Sequence, residues 1–116
     1  MYLFGYNYFV NTIIRTNEFV TWLDGLKDAK GKARIISRLD MVKLGHFGDC
    51  EPIGEGVSEM RIEFGPGYRV YFFRRALQVY VVLGGGDKST QKRDIKRVKR
   101  LARQLSEETK HGKTKN

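Results

Sequence analysis

Residues 57–74, VSEMRIEFGPGYRVYFFR, decide the fold of this chain. Over residues 57–64, apolar and polar side chains alternate, which is the pattern of a strand with one buried face. The Gly-Pro-Gly that follows predicts a tight turn, and the aromatic and apolar run at residues 68–74 predicts a second strand. The stretch therefore predicts two neighbouring antiparallel strands, and these strands contain Arg61 and Arg69.

A third strand is predicted at residues 77–83, LQVYVVL, after a short turn at residues 75–76. The second and third strands are apolar on both faces, which is typical of strands at the centre of a sheet. Arg69 is informative for this reason, because a charged side chain in a central strand needs a partner or a ligand.

Helical periodicity occurs on both sides of these strands. Residues 17–26 and 28–44 carry apolar residues at helical spacing, and the short link between them predicts an antiparallel helical hairpin. Residues 89–107 return to the same period, with Ser89 or Thr90 as the predicted N-cap. The element order therefore predicts an α+β fold in which the helical hairpin covers a sheet.

The charge of the chain is its most unusual bulk property. Its 116 residues include 22 Lys and Arg against 13 Asp and Glu, which gives a net charge of +9. Residues 87–103 hold eight of the basic residues and two of the acidic ones, so this segment carries most of the excess. Such a balance favours a polyanionic partner such as nucleic acid or an acidic protein.

Cysteine usage and hydropathy predict a cytoplasmic protein with one domain. Cys50 is the only cysteine in the sequence, which excludes an internal disulfide and a cysteine-based zinc cluster. The apolar N-terminus has no positive n-region and no apolar run is long enough for a membrane span, so we expect neither a signal peptide nor a membrane partner. We predict an extension or edge strand at residues 1–12, a folded domain at residues 13–107 and a polar, disordered tail at residues 108–116.

A glycine-rich segment, GGGDKST at residues 84–90, lies between the third strand and the last helix. It departs from the phosphate-loop spacing G-x-x-x-x-G-K-[ST], because Asp87 precedes Lys88 and would oppose phosphate binding. We therefore interpret the segment as a flexible hinge that ends the strand and brings Asp87 and Lys88 to the rim of a basic cleft.

These motifs together resemble a known family. The residues EMRIEFGPGYRVYF at 59–72, FVTWLDGLK at 19–27, ARIISRL at 33–39 and GGDKSTQKRDI at 85–95 are similar in order and spacing to the RelE/ParE toxin superfamily, and more narrowly to HigB-like addiction module killer toxins. The resemblance covers about residues 13–105. It implies a RelE-like two-layer sandwich, in which a twisted, mainly antiparallel sheet carries the helical hairpin on one face and a basic helix follows at the C-terminus.

The resemblance also implies a function. In RelE-like toxins the open side of the sheet is a basic cleft that enters the ribosome and cleaves mRNA without a metal or other cofactor. The ribose 2′-oxygen attacks the adjacent phosphorus and the 5′-oxygen leaves. Arg69 is expected to grip the phosphate, since a guanidinium can bind two oxygens at once. Arg61 is expected to stabilise transition-state charge, and Lys88 to contact a phosphate or to protonate the leaving oxygen.

The sequence does not assign the proton-transfer residues, because it differs from RelE-like toxins around Glu63 and after Lys88. Glu63 is either a general base or a salt-bridge partner. HigB enzymes often use histidine and aspartate, for which His46 and Asp87 are the nearest candidates here. A lone loop histidine is more often a plain surface residue, so both interpretations of His46 are kept.

Further RNA contacts are expected around the cleft. Tyr68 and Tyr71 are candidates to stack an RNA base, with core packing as the alternative. Lys92 and Arg93 of the last helix are expected to contact RNA phosphates, and His46 is a further candidate contact.

Two other functions are compatible with the same fold. ParE-like toxins bind DNA gyrase without chemistry of their own, and a basic nucleic-acid-binding module would lay residues 89–107 along phosphates. The cations Arg61, Arg69 and Lys88 together favour RNA cleavage. For a toxin, the resemblance implies a cognate antitoxin of helix-turn-helix or similar type that covers the cleft or the basic helix, and a complex of the two that binds promoter DNA.

Overall fold

The computed structural model describes residues 10–115 and has the α+β architecture that the sequence predicts. Its elements are β1 (Thr12–Arg15), α1 (Asn17–Gly25), α2 (Ala29–Lys43), β2 (Cys50–Gly54), β3 (Val57–Ile62), β4 (Tyr68–Ala76), β5 (Val79–Asp87), a 3-10 turn (Lys88–Thr90) and α3 (Gln91–Lys115). The strands form one sheet in the order β1-β5-β4-β3-β2. Only β1 and β5 run parallel among these neighbours. The predicted central strands, β4 and β5, are confirmed as interior strands of the sheet.

The helical hairpin forms where the sequence predicts it. Thr16 caps α1 by accepting a hydrogen bond from the backbone N–H of Phe19 at 3.1 Å, and Asp28 caps α2 through Gly31 N–H at 3.0 Å. Both helices pack their apolar sides on one face of the sheet. The core on this face contains Phe19, Leu23, Ile35, Leu39, Val42, Met60, Ile62, Tyr68, Val70, Phe72 and Val82.

The C-terminal helix α3 packs on the opposite face of the sheet. The buried residues of this second cluster are Val57, Tyr71, Val81, Leu83, Val98 and Ala102. The basic residues Lys92, Arg93, Lys96 and Arg100 of the same helix remain exposed. The sheet therefore lies between the hairpin and α3. Helix α3 forms a further layer, which covers part of the sheet face opposite the hairpin.

The predicted hinge at Gly84–Gly86 is wrong, because these glycines belong to β5, which continues to Asp87. Helices approach the strand there from both sides. A Cβ atom on Gly85 would overlap the Trp22 ring of α1, and one on Gly86 would overlap the Asp94 carboxylate of α3. The glycines therefore make room for close packing on two faces of a strand.

Other boundaries also differ from the sequence prediction. The predicted turn at residues 75–76 is wrong, because β4 runs through Ala76 and the chain reverses at Leu77 and Gln78, where Gln78 adopts φ 66°. Of the predicted extension or edge strand at residues 1–12, residues 1–9 lie outside the described part of the chain. Helix α3 reaches Lys115, so the structure is helical where a disordered tail is predicted.

None of the helices within residues 10–115 combines the length and the apolar character that a bilayer crossing requires.

Candidate functional site

Arg69 lies near the start of β4, on the sheet face that carries α3. Its side chain is only 8% exposed. The guanidinium Nη1 donates to the backbone carbonyls of Gly67 at 3.0 Å and Tyr68 at 3.2 Å. The guanidinium is therefore held against the turn that precedes its own strand.

Lys88 meets Arg69 at the same turn. The backbone N–H of Lys88 donates to the Gly67 carbonyl at 2.9 Å, and the Lys88 side chain is exposed. Gly67 has φ 80°, and a Cβ atom there would lie 3.4 Å from Arg69 Nη1 and 3.5 Å from Lys88 Cβ. The structure thus brings the predicted residues Arg69 and Lys88 together on either side of Gly67.

Asp87 is the last residue of β5, directly before Lys88 in the chain, and it lines a depression with Trp22 and Arg93. Its Oδ1 accepts hydrogen bonds from the backbone N–H of Ser89 at 2.8 Å and from Ser89 Oγ at 2.5 Å, while its own N–H donates to Thr90 Oγ1 at 3.3 Å. Asp87 is therefore the N-cap of the 3-10 turn that leads into α3. We call Gly67, Arg69, Asp87 and Lys88 the Arg69 cluster.

Arg61 pairs with Arg69 in the register of β3 and β4, but its surroundings differ. Its guanidinium lies 3.0 Å from Asp49 Oδ1 and 2.9 Å from Glu51 Oε2. These hydrogen bonds raise the pKa of Arg61, and the bond from Arg61 lowers the pKa of Asp49. The predicted cleft cation is therefore already paired with two carboxylates, neither of which the sequence singled out.

Glu63 lies beyond the end of β3, on the surface. It lines a shallow depression with Arg61, Arg38 and Asp49 on the α2 side of the domain. The structure places this candidate base beside Arg61 and not in the Arg69 cluster.

His46 is exposed in the turn that follows α2, where its backbone N–H donates to Met41 O at 2.9 Å. The neighbouring Phe47 packs against Phe72 and Tyr80, on the hairpin face of the sheet. His46 is thus associated with the face opposite to Arg69, and the structure does not bring it to the Arg69 cluster.

Neither predicted stacking tyrosine offers an open ring. Tyr68 is 5% exposed, packs edge-on against Trp22 and donates its hydroxyl to Asp28 Oδ2 at 2.8 Å. Burial, together with the hydrogen bond to Asp28, raises the pKa of Tyr68. Tyr71 has no exposed surface. The alternative of core packing therefore describes both residues in this structure, because neither ring is accessible to an RNA base.

Lys92 and Arg93 lie on the exposed basic side of α3. With Lys96, Arg97 and Arg100 they line an open groove along the helix. Arg97 is held by Glu18 at 2.5 Å and by Asp94 at 2.7 Å, and Arg93 Nε lies 3.7 Å from the same Asp94 carboxylate. The remaining cations form a continuous positive surface that starts one helical turn beyond the Arg69 cluster.

A buried carboxylate, Glu59, lies beneath the Arg69 cluster and was missed by the sequence reasoning. It is 2% exposed, and its Oε2 accepts hydrogen bonds from Gln91 Nε2 at 2.6 Å and from the Tyr71 hydroxyl at 3.2 Å. Its Oε1 lies 4.0 Å from Arg69 Nε. Burial and the charge of Glu59 raise the pKa of Tyr71, so this hydroxyl stays protonated. The only sequence signal for Glu59 was its position two residues before Arg61 on the same strand face.

Much of the chain is similar to known proteins. A family model described as "Phage derived protein Gp49-like (DUF891)" matches residues 21–107, a range that contains the Arg69 cluster and Glu59. An uncharacterized protein of Haemophilus influenzae is 43% identical over 90 residues, which cover 78% of this chain and 91% of that protein. No solved structure matches the chain significantly.

Proposed function

This chain belongs to the phage-derived Gp49-like family, a family of RelE-like toxins associated with toxin–antitoxin modules, and we propose that it arrests translation by cleaving mRNA on the ribosome. The observation that carries the proposal is the Arg69 cluster. Arg69 of β4 and Lys88, the residue that follows β5, both contact Gly67 of one turn, and Asp87 is next to Lys88 in the chain. Two cations and one carboxylate are the groups that phosphodiester cleavage needs.

The reaction assigned to this site is a transesterification. The 2′-oxygen of a ribose forms a bond to the adjacent phosphorus, and the bond from phosphorus to the 5′-oxygen breaks. The products are a 2′,3′-cyclic phosphate and a 5′-hydroxyl. Arg69 and Lys88 would stabilise the additional negative charge on the phosphorane oxygens, and a fixed guanidinium would hold the phosphate in line for attack.

Proton transfer is assigned to Asp87 and Lys88. Asp87 would accept the 2′-hydroxyl proton, since Glu63 lies with Arg61 and His46 lies on the hairpin side. The backbone N–H and the hydroxyl of Ser89 both donate to Asp87 Oδ1, so the carboxylate is held at the start of the 3-10 turn, next to Lys88. Lys88 would donate a proton to the leaving 5′-oxygen. Lys92 and Arg93 would bind neighbouring phosphates, and Arg61 would join them only where the RNA displaces Asp49 and Glu51 from its guanidinium.

Family membership implies an antitoxin partner. We infer that this antitoxin is a helix-turn-helix or similar protein that neutralises the positive surface of α3 or the Arg69 cluster. The toxin–antitoxin complex would then bind its own promoter DNA through the antitoxin, and free toxin would act in the cytoplasm.

A specific observation favours a second candidate function. Arg61 is paired with two carboxylates and Arg69 is largely buried, so fewer cations are free than a RelE-like cleft would offer. This pattern fits a ParE-like toxin that binds DNA gyrase without chemistry of its own.

Mapping of mRNA 5′-ends after induction in bacteria distinguishes the two functions. For the ribonuclease we expect new ends within translated codons for wild type and for Lys43→Ala, a change at an exposed residue at the end of α2. Arg69→Ala should abolish these ends. Intact mRNA together with a DNA-damage response would instead support the gyrase inhibitor and contradict the proposal.

A further inference from the structure

Glu59 and Arg69 form a buried pair that the proposed reaction does not use directly. The Glu59 side chain is 2% exposed and the Arg69 side chain 8% exposed. An arginine stays charged in proteins, and a charge removed from water requires an opposite charge nearby. Among the acidic residues in the described chain, Glu59 is the one that forms an ion pair with Arg69.

The contacts of the guanidinium divide it into two edges. Nη1 faces the carbonyls of Gly67 and Tyr68, beside Lys88. Nε faces Glu59 Oε1 at 4.0 Å, and among the side chains of residues 10–108 it is the one buried nitrogen or oxygen that lacks a hydrogen-bond partner. The Nε edge is therefore oriented by charge attraction and not by a direct hydrogen bond.

Glu59 is itself held in place from two other elements. The Tyr71 hydroxyl of β4 and the Gln91 amide at the first residue of α3 both donate to its Oε2. This arrangement leaves Oε1 as the oxygen that faces Arg69. The carboxylate therefore joins β3, β4 and α3 directly below the Arg69 cluster.

We propose that Glu59 is a positioning residue that fixes the plane of the Arg69 guanidinium, so that its Nη edge points to the turn shared with Lys88. Without the negative charge of Glu59, the Nε edge would lose its orienting partner, and the two hydrogen bonds of Nη1 alone would leave the guanidinium plane less restricted about its side-chain torsions. The consequence for RNA cleavage rests on the proposed function, but the orientation itself does not.

The first test is the hydrogen-exchange rate of Arg69 Nε–H, measured by NMR in the full chain. Glu59→Gln removes the charge but keeps the shape and the oxygen that accepts from Tyr71 and Gln91. We expect exchange at Arg69 Nε to accelerate at least about ten-fold, because local opening becomes easier. Arg61 Nε provides the internal control, and its rate should stay within about three-fold of wild type.

Tyr71→Phe is the matched variant. It deletes one hydrogen bond to Glu59 and keeps the carboxylate charge, so the Arg69 exchange rate should change by less than about three-fold. Glu59→Asp keeps the charge but withdraws the carboxylate by one methylene, and its rate should lie between those of wild type and Glu59→Gln. Equal rates in wild type and Glu59→Gln, or a wild-type rate in Glu59→Asp, would overturn the proposal.

The second test is cleavage of ribosome-bound mRNA by the same variants. Glu59→Gln should lower kcat about ten-fold and leave KM within about three-fold, since a rotated guanidinium loses transition-state contacts more than binding. If wild type shows no cleavage, the proposed function fails, while the exchange rates still decide whether Glu59 orients Arg69. If wild type cleaves and Glu59→Gln has an unchanged kcat, the positioning role is contradicted.

Discussion

Arg61 and Arg69 are directly paired across β3 and β4, and their environments differ in nearly every respect. Arg61 reaches toward the edge of the sheet and binds two partly exposed carboxylates at hydrogen-bond distance. Arg69 is buried, bonds to backbone carbonyls and faces Glu59 at a longer distance. The same residue type at paired register positions therefore gives one neutralised surface cation and one oriented interior cation.

The neighbouring strands account for the difference. Glu51 lies in β2 and Asp49 directly precedes this strand, which is an edge strand that lies beside β3 only. Arg69 pairs on its other side with Gly86, which brings no side chain to the site. An arginine next to an edge strand thus acquires surface ion pairs, whereas one between interior strands depends on a buried partner.

The largest effect is expected from Arg69→Ala. It should lower mRNA cleavage by about 100-fold or more, because phosphate stabilisation is lost. It should also lower the free energy of unfolding by about 3 kcal/mol, because Glu59 is left buried without a counter-charge. Urea denaturation and single-turnover cleavage measure the two effects.

Arg69→Lys separates these two effects. Lysine retains the positive charge but cannot donate two parallel hydrogen bonds to a phosphate. Relative to Arg69→Ala, the free energy of unfolding should therefore be restored more fully than the cleavage rate. If Arg69→Ala behaves like Arg61→Ala in both assays, the contrast between the two arginines is wrong.

Gly86→Ala should have the next largest effect, since it disturbs the strand that flanks Arg69. Its Cβ would overlap the buried Asp94 carboxylate, and we expect a loss of about 2 kcal/mol in the free energy of unfolding. Gly25→Ala is the control, because a Cβ there has no neighbour within 4 Å. Comparable chemical denaturation curves for both variants would show that the site has more room than the structure indicates.

A smaller effect is expected from freeing Arg61. Replacing both of its partners, in the variant Asp49→Asn with Glu51→Gln, should strengthen binding of a 2′-O-methyl RNA oligonucleotide by about three-fold and steepen its salt dependence. Fluorescence anisotropy at several salt concentrations provides the measurement. An unchanged affinity, with the oligonucleotide still bound, would show that Arg61 lies outside the RNA surface.

The smallest effect is the pH response of Asp49. The hydrogen bond from Arg61 lowers its pKa below the usual 3.8, so its contribution to stability is present above about pH 4 and is lost as the pH falls through the lower, folded-state pKa. Arg61→Ala should return the Asp49 pKa toward 3.8. NMR titration of the carboxyl carbons of both proteins measures this pKa. An Asp49 pKa that is the same in wild type and Arg61→Ala would contradict an ion pair between the two residues.

Local patterns in the sequence were sufficient for much of the fold. The helical hairpin, the β3–β4 pair and the interior position of β4 and β5 follow from periodicity and turn residues. The role of the glycines in β5 was predicted wrongly because it depends on Trp22 of α1 and Asp94 of α3. These residues pack against the strand from two other elements, which local sequence patterns do not reveal. Strand β2, CEPIG, was missed because it is short, contains proline and has no alternation of its own.

The candidate site was less predictable than the fold. Arg69 was singled out as a charge in a central strand and Lys88 through the resemblance to RelE-like toxins, and the structure does bring them together. The burial of Glu59 could not be read from the sequence, since an alternating strand shows which face a residue occupies but not what covers that face. Helix α3 covers the sheet face that carries Glu59, and this packing also makes the Tyr71 ring inaccessible to a ligand.

The most direct test of the central claim is the chemistry of the RNA ends made by the purified protein on a ribosome programmed with a defined mRNA. We predict a 2′,3′-cyclic phosphate on the upstream fragment and a 5′-hydroxyl on the downstream fragment, with cleavage blocked by a single 2′-deoxy substitution at the cut nucleotide and strongly reduced by Arg69→Ala. Cleavage that persists at the 2′-deoxy nucleotide, or no cleavage by a protein that still arrests growth, would contradict it.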